Sequence, residues 1–110
     1  MSQHIARLEC EKVGGHARVQ LGWDKPLAEY YLVVFAEEDA QCDNEDGIVY
    51  SNLDDPRSRG QELDYFKAIA SNLGCEVPDA MWRAAYQDRE VNAVNKIVFY
   101  SPAGEVVEPY

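Results

Sequence analysis

Leu21-Gly22-Trp23-Asp24-Lys25-Pro26-Leu27-Ala28-Glu29-Tyr30-Tyr31-Leu32-Val33-Val34-Phe35-Ala36-Glu37-Glu38 is the stretch on which the fold turns. Its second half, Tyr30 to Ala36, is the one long apolar run in the chain. The run is aromatic and β-branched and has the length of a strand rather than of a helix. No polar residue interrupts it, so both of its faces are covered and a central strand is expected. Just before it, Pro26 fixes its own φ and pushes Lys25 out of the helical region, so the chain turns through Trp23 to Leu27. Trp23 reads as an aromatic at the edge of the core.

Upstream, Ala6, Leu8 and Cys10 alternate with Arg7, Glu9 and Glu11, and Ala17, Val19, Leu21 and Trp23 alternate with His16, Arg18 and Gln20. Both are half-buried strand patterns, and Gly14-Gly15 between them supplies the positive φ of a tight hairpin turn. His16 falls on the polar side. Downstream, an acidic loop over 37–47 ends in Asp46-Gly47, which has turn chemistry, and leads into a short strand at Ile48-Val49-Tyr50.

Ser51 to Gly60 reads as a connector, with Ser58 and Gln61 spaced as a capping box for the helix that follows. Leu63, Phe66, Ile69, Ala70 and Leu73 recur at helical spacing up to Gly74. Pro78 and Asp79 suit the first turn of a second helix, with Met81, Trp82, Ala85 and Arg89 along one side. Lys96 to Tyr100 is a last strand, and Ser101-Pro102-Ala103-Gly104 turns the chain into a tail. The order β-β-β-β-α-α-β has no βαβ alternation. It predicts one α+β domain over 1–110, an antiparallel sheet of about five strands with two helices on one face.

The 110 residues are enough for one core. No apolar stretch approaches the roughly 20 residues that span a bilayer, and MSQHIARLE lacks the apolar centre of a signal peptide. Three widely spaced cysteines, Cys10, Cys42 and Cys75, suggest reduced thiols and a cytoplasmic location, with Cys10 and Cys75 as small buried hydrophobes. None of them pairs with His4 or His16 at a ligand-like spacing, so no structural zinc is expected. Twenty acidic against ten basic residues give a formal charge of −10, which disfavours nucleic acid and anionic membrane as partners and favours basic surfaces.

Chemistry leaves no signature. Gly14-Gly15 lacks phosphate-loop spacing, no nucleophile motif surrounds Ser51, Ser58 or Ser71, and setting Gly47 as the glycine of an EF-hand puts Cys42 and Leu53 where carboxylates are required. No catalytic residue, metal or cofactor is expected. The candidate is instead a docking surface formed by Glu37, Glu38, Asp39, Asp43, Glu45, Asp46, Asp54 and Asp55. Closely spaced carboxylates imitate the charge density of duplex DNA, about one charge per 1.7 Å of axis, and would steer onto a Lys/Arg-lined channel. Trp23 and Trp82 would add apolar binding area.

Leu21 to Leu27, the apolar strand after it, and Ser51-Asn52-Leu53 together resemble a pattern in short proteins of bacterial plasmids and phages. In size, charge and lack of chemistry the chain also resembles anti-CRISPR proteins, several of which occupy the DNA-binding face of a CRISPR effector complex. That resemblance implies a non-enzymatic inhibitor of a nucleic-acid-handling complex, with no catalytic residues to carry over. The alternative is an accessory or structural protein of a mobile element, acting through an apolar patch around Trp23 and Trp82. Monomer and dimer both remain open.

Overall fold

The alternating stretches build a five-stranded sheet in the computed structural model, which describes residues 2–37, 47–92 and 95–107. Strand β1 (Ser2–Cys10) pairs antiparallel with β2 (Gly15–Asp24), which pairs antiparallel with β3 (Glu29–Ala36), the apolar run. Strand β4 (Ile48–Ser51) lies outside β3, and β5 (Lys96–Tyr100) outside β1, so the order across the sheet is β4-β3-β2-β1-β5. Helices α1 (Leu63–Asn72) and α2 (Asp79–Glu90) cover one face: α2 packs on β1 and β2, and α1 on β3. Between them the helices and the sheet bury Val19, Leu21, Leu32, Val34, Phe66 and Met81 completely.

The α+β class and the element order agree with the sequence reading, but the sheet is mixed, because β5 runs parallel to β1. The cause is a matter of direction. After β4 the chain crosses the helix layer twice, so it returns to the end of the sheet where β4 finished. Strand β5 therefore runs opposite to β4, and three successive antiparallel pairings make that direction parallel to β1. Docking beside β4 would have given an antiparallel sheet; docking on the far edge gives a parallel pair.

Three local expectations change. The β1–β2 connection is a 3-10 turn over Glu11–Val13, closed by Gly14 at φ 76°, rather than a tight Gly-Gly hairpin. It exists because Val13 turns inward and is buried. Ser58 and Gln61 do not cap α1: the Ser58 hydroxyl bonds the carbonyls of Asn52 and Asp55, and the helix starts only at Leu63. The cysteines also differ from expectation. Cys10 and Cys75 are buried, but joined in a disulfide with Cα atoms 4.5 Å apart.

The geometry behind that bond is set by the end of α1. Gly74, at φ 75°, ends the helix in the left-handed conformation that glycine takes without penalty. Its N–H bonds the Ser71 carbonyl and the Cys75 N–H bonds the Ala70 carbonyl, the paired bonds of a Schellman cap. The cap swings Cys75 onto the last residue of β1, and the Lys12 N–H bonds the Leu73 carbonyl beside it. The reduced-thiol argument for a cytoplasmic compartment thereby loses its basis. Among the described residues no helix is long and apolar enough to cross a membrane.

Candidate docking surface

One end of the sheet gathers carboxylates that the linear sequence keeps apart. Glu9 is the penultimate residue of β1, the 3-10 turn begins with Glu11, and Glu76 follows the α1 cap. These three line one shallow depression of about 480 Å³, floored by Gly14, Gly15, Gly74 and Cys10. The glycines are what bring the acids close. A Cβ on Gly74 would stand 2.7 Å from that of Glu11, so only glycine lets the turn pack against the cap. Strand β3 ends on the same side, where the Glu37 N–H bonds the His16 carbonyl. Lys12 is the basic residue nearest in sequence, and Asp79 opens α2 close by.

Of the carboxylates expected to form the surface, Glu38, Asp39, Asp43, Glu45 and Asp46 lie outside the described residues. Glu37 and the Asp54-Asp55 pair are not neighbours: Glu37 sits where β4 begins, and Asp54 and Asp55 follow its far end. Asp54 is exposed. Asp55 is occupied internally, with Oδ2 accepting the hydroxyls of Tyr65 at 2.6 Å and Tyr50 at 2.7 Å and Oδ1 accepting the Arg57 N–H. Those bonds, the Tyr65 one first, hold its carboxyl below the usual carboxylate range. Asp55 therefore fastens the connector to β4 and α1.

Trp23 and Trp82 lie between sheet and helices, at 8% and 6% exposure. Trp23 meets Tyr30 edge-on and donates from Nε1 to Asn92, while the Arg89 guanidinium lies over both rings. Neither indole offers its ring to a partner, so the apolar patch expected around them is part of the core.

The arrangement with most chemical character is one that the sequence reading left out. His4, Asp88, Tyr100 and Lys96 converge where β1, β5 and α2 meet. His4 Nε2 stands 2.6 Å from Asp88 Oδ2, and its Nδ1 stands 2.9 Å from the Tyr100 hydroxyl. An ionised carboxylate accepts only, so Nε2 carries the proton and Nδ1 accepts from Tyr100. Lys96 Nζ lies 2.7 Å from Asp88 Oδ1, close enough for an ion pair but outside the directed geometry of a hydrogen bond.

Burial lowers the His4 pKa, with Asp88 opposing, so the imidazole is neutral near pH 7. Burial alone would raise Asp88, but Lys96, His4 and Ser2 outweigh it and hold the carboxyl below its ordinary value. Both imidazole nitrogens are engaged and the ring is 1% exposed, so this cluster ties the strand edge to α2. A signal was present in the sequence. His4 has the parity of Ala6, Leu8 and Cys10, and Asp88 continues the Met81–Ala85 stripe of α2.

Among the described residues no group of three or more His, Cys, Asp and Glu is placed to hold a metal ion. The chain matches no protein-family model, no curated protein and no solved structure.

Proposed function

We propose that this protein is a non-enzymatic binding protein whose acidic end engages a basic protein surface, as an inhibitor of the anti-CRISPR type that keeps nucleic acid off a nucleic-acid-handling complex. The observation that carries the reading is the convergence of Glu9, Glu11 and Glu76 in one depression of a chain whose formal charge is −10. Carboxylates held on a rigid frame lose little freedom when they meet Lys and Arg, and a field of one sign speeds the encounter. Such a partner works in the cytoplasm, where Cys10 and Cys75 would be held as thiols; counting free thiols in protein taken from intact cells tests the location.

The test is competition for DNA on a panel of purified CRISPR effector complexes, at about 0.05 M and about 0.5 M salt, which differ several-fold in screening length. The protein is expected to displace DNA at the lower salt and much less at the higher. The triple variant Glu9→Lys, Glu11→Lys, Glu76→Lys is expected to lose displacement while keeping its fold. DNA that stays bound throughout the panel at low salt, or a triple variant as potent as the parent, overturns the reading.

A further inference from the structure

The face of the sheet turned away from the helices carries the opposite chemistry. Arg7 of β1 and Arg18 of β2 are direct cross-strand partners, so two cationic side chains leave the same face of the sheet from opposed positions. Like charges in that relation cost stability unless something compensates them. Among the described residues the compensation is partial. Arg7 has a loose contact with Glu37 at 3.7 Å and remains 59% exposed, while Arg18 lies over the Phe35 ring, 4.6 Å from its centroid, and pairs with no carboxylate among the described residues.

Beside the pair the surface is apolar. Ile5 is the cross-strand neighbour of Phe99, and the Val107 N–H bonds the Phe99 carbonyl, folding the tail along the strand. Phe99 and Val107 are 38% and 44% exposed, and Ile97 on the same strand is 56% exposed. Ile5, Phe99, Tyr100 and Val107 line one groove of about 490 Å³ together with Arg7, Arg18 and a single carboxylate, Glu37, so the cations outnumber the anion two to one.

We infer that this groove is a docking site for a segment of a partner protein that carries a carboxylate next to aromatic or aliphatic side chains. The carboxylate bridges Arg7 and Arg18, since a guanidinium presents a fork that matches two carboxylate oxygens. The apolar side chains lie on Ile5, Phe99 and Val107. Charge selects this occupant over its rivals. A nucleic acid strand or a second copy of the chain would bring many negative charges against a body of −10, whereas a short segment brings one or two. The groove adjoins the acidic end, for Arg7 also lines a depression with Glu9 and Glu76, but Arg18, Ile5, Phe99 and Val107 have no part in the acidic depression, so the two readings are tested on different residues.

The experiment records amide chemical shifts of the full chain on adding a short acetylated and amidated peptide, GFDFELG, or its basic counterpart GFKFKLG. The acidic peptide is expected to move Ile5, Arg18 and Val107, and the basic one to leave them in place. Arg18→Glu should weaken the acidic peptide about tenfold, the scale of one charge-assisted bond, with Arg7→Gln as a second variant that adds no negative charge. Shifts at these positions from both peptides alike, or from neither, overturn the inference. So does a solution mass of two chains that Arg18→Glu returns to one, because the occupant is then a second copy.

Discussion

His4 gives the clearest case of one residue setting a property of the protein. Ser2 on β1, Lys96 and Tyr100 on β5, and Asp88 on α2 face it. A proton on Nδ1 would turn the acceptor for Tyr100 into a donor and leave a cation in a 1% exposed site. Because the folded-state pKa lies below the ordinary 6.5, the unfolded chain takes up that proton first. Stability is therefore expected to fall as pH drops below about 6.5, by at most about 1.4 kcal/mol per pH unit for one proton. Asp88 is lowered too, so its contribution is present above its ordinary 3.8 and is lost as pH falls further. His4→Gln keeps a donor for Asp88 and an acceptor for Tyr100 but cannot titrate. Urea midpoints between pH 4.5 and 7.5 should lose the first step in that variant, and a step that survives would assign the proton elsewhere. Gly22 is a second single-residue constraint, for a Cβ there would sit 2.1 Å from the Ser2 carbonyl oxygen. Gly22→Ala should cost about 1–3 kcal/mol by forcing the start of β1 away from β2, read as a lower urea midpoint.

At the scale of elements, the disulfide and the α1 cap work as one device. The bond spans 65 positions, and closing so long a loop in the unfolded chain corresponds to about 4 kcal/mol by chain entropy. Reduction, or Cys75→Ser, should lower stability by about 2–4 kcal/mol, measured by urea unfolding with and without reductant; equal midpoints would mean that the cap alone holds the junction. Gly74→Ala should cost more than about 1 kcal/mol even in reduced protein, since it combines a positive φ with a clash against Glu11. These features also mark how far the sequence could be read. The Tyr30 run, the two alternating strands, the end of α1 at Gly74 and the Lys96–Tyr100 strand were legible because their signals are local: periodicity, branching and a glycine stop. The edge on which β5 docks, the Cys10–Cys75 bond and the meeting of His4 with Asp88 were not. Each joins residues more than sixty positions apart, and although the helical stripe puts Asp88 on the buried side, nothing local names His4 as its partner. Most of the acidic surface read from the sequence lies outside the described residues, and that reading did not name Glu9, Glu11 or Glu76. The excess of acid is written in the composition, but the meeting of these three arises only when a turn, a strand end and a helix cap close on one another.

Over the whole molecule, charge makes salt act in two opposite directions. A formal charge of −10 on 12.4 kDa repels itself in the compact state more than in the expanded one. Several acids are offset locally, as Glu29 is by Arg59, Asp79 by Arg83 and Glu62 by Arg89, but Glu9, Glu11 and Glu76 form no ion pair among the described residues. Added salt screens that repulsion, since the Debye length falls from about 30 Å at 0.01 M to about 8 Å at 0.15 M. The free protein should therefore melt a few degrees higher at about 0.5 M salt than at 0.01 M, about 4–8 °C corresponding to 1 kcal/mol in a domain of this size. The same screening weakens any complex formed through the acidic end. Converting Glu9, Glu11 and Glu76 to Lys changes the formal charge by six, from −10 to −4, and should flatten both dependences together. A melting point that ignores salt in the parent protein would mean that its carboxylates are already neutralised by one another's partners. The excess negative charge would then not be gathered at the end of the sheet where these three acids meet.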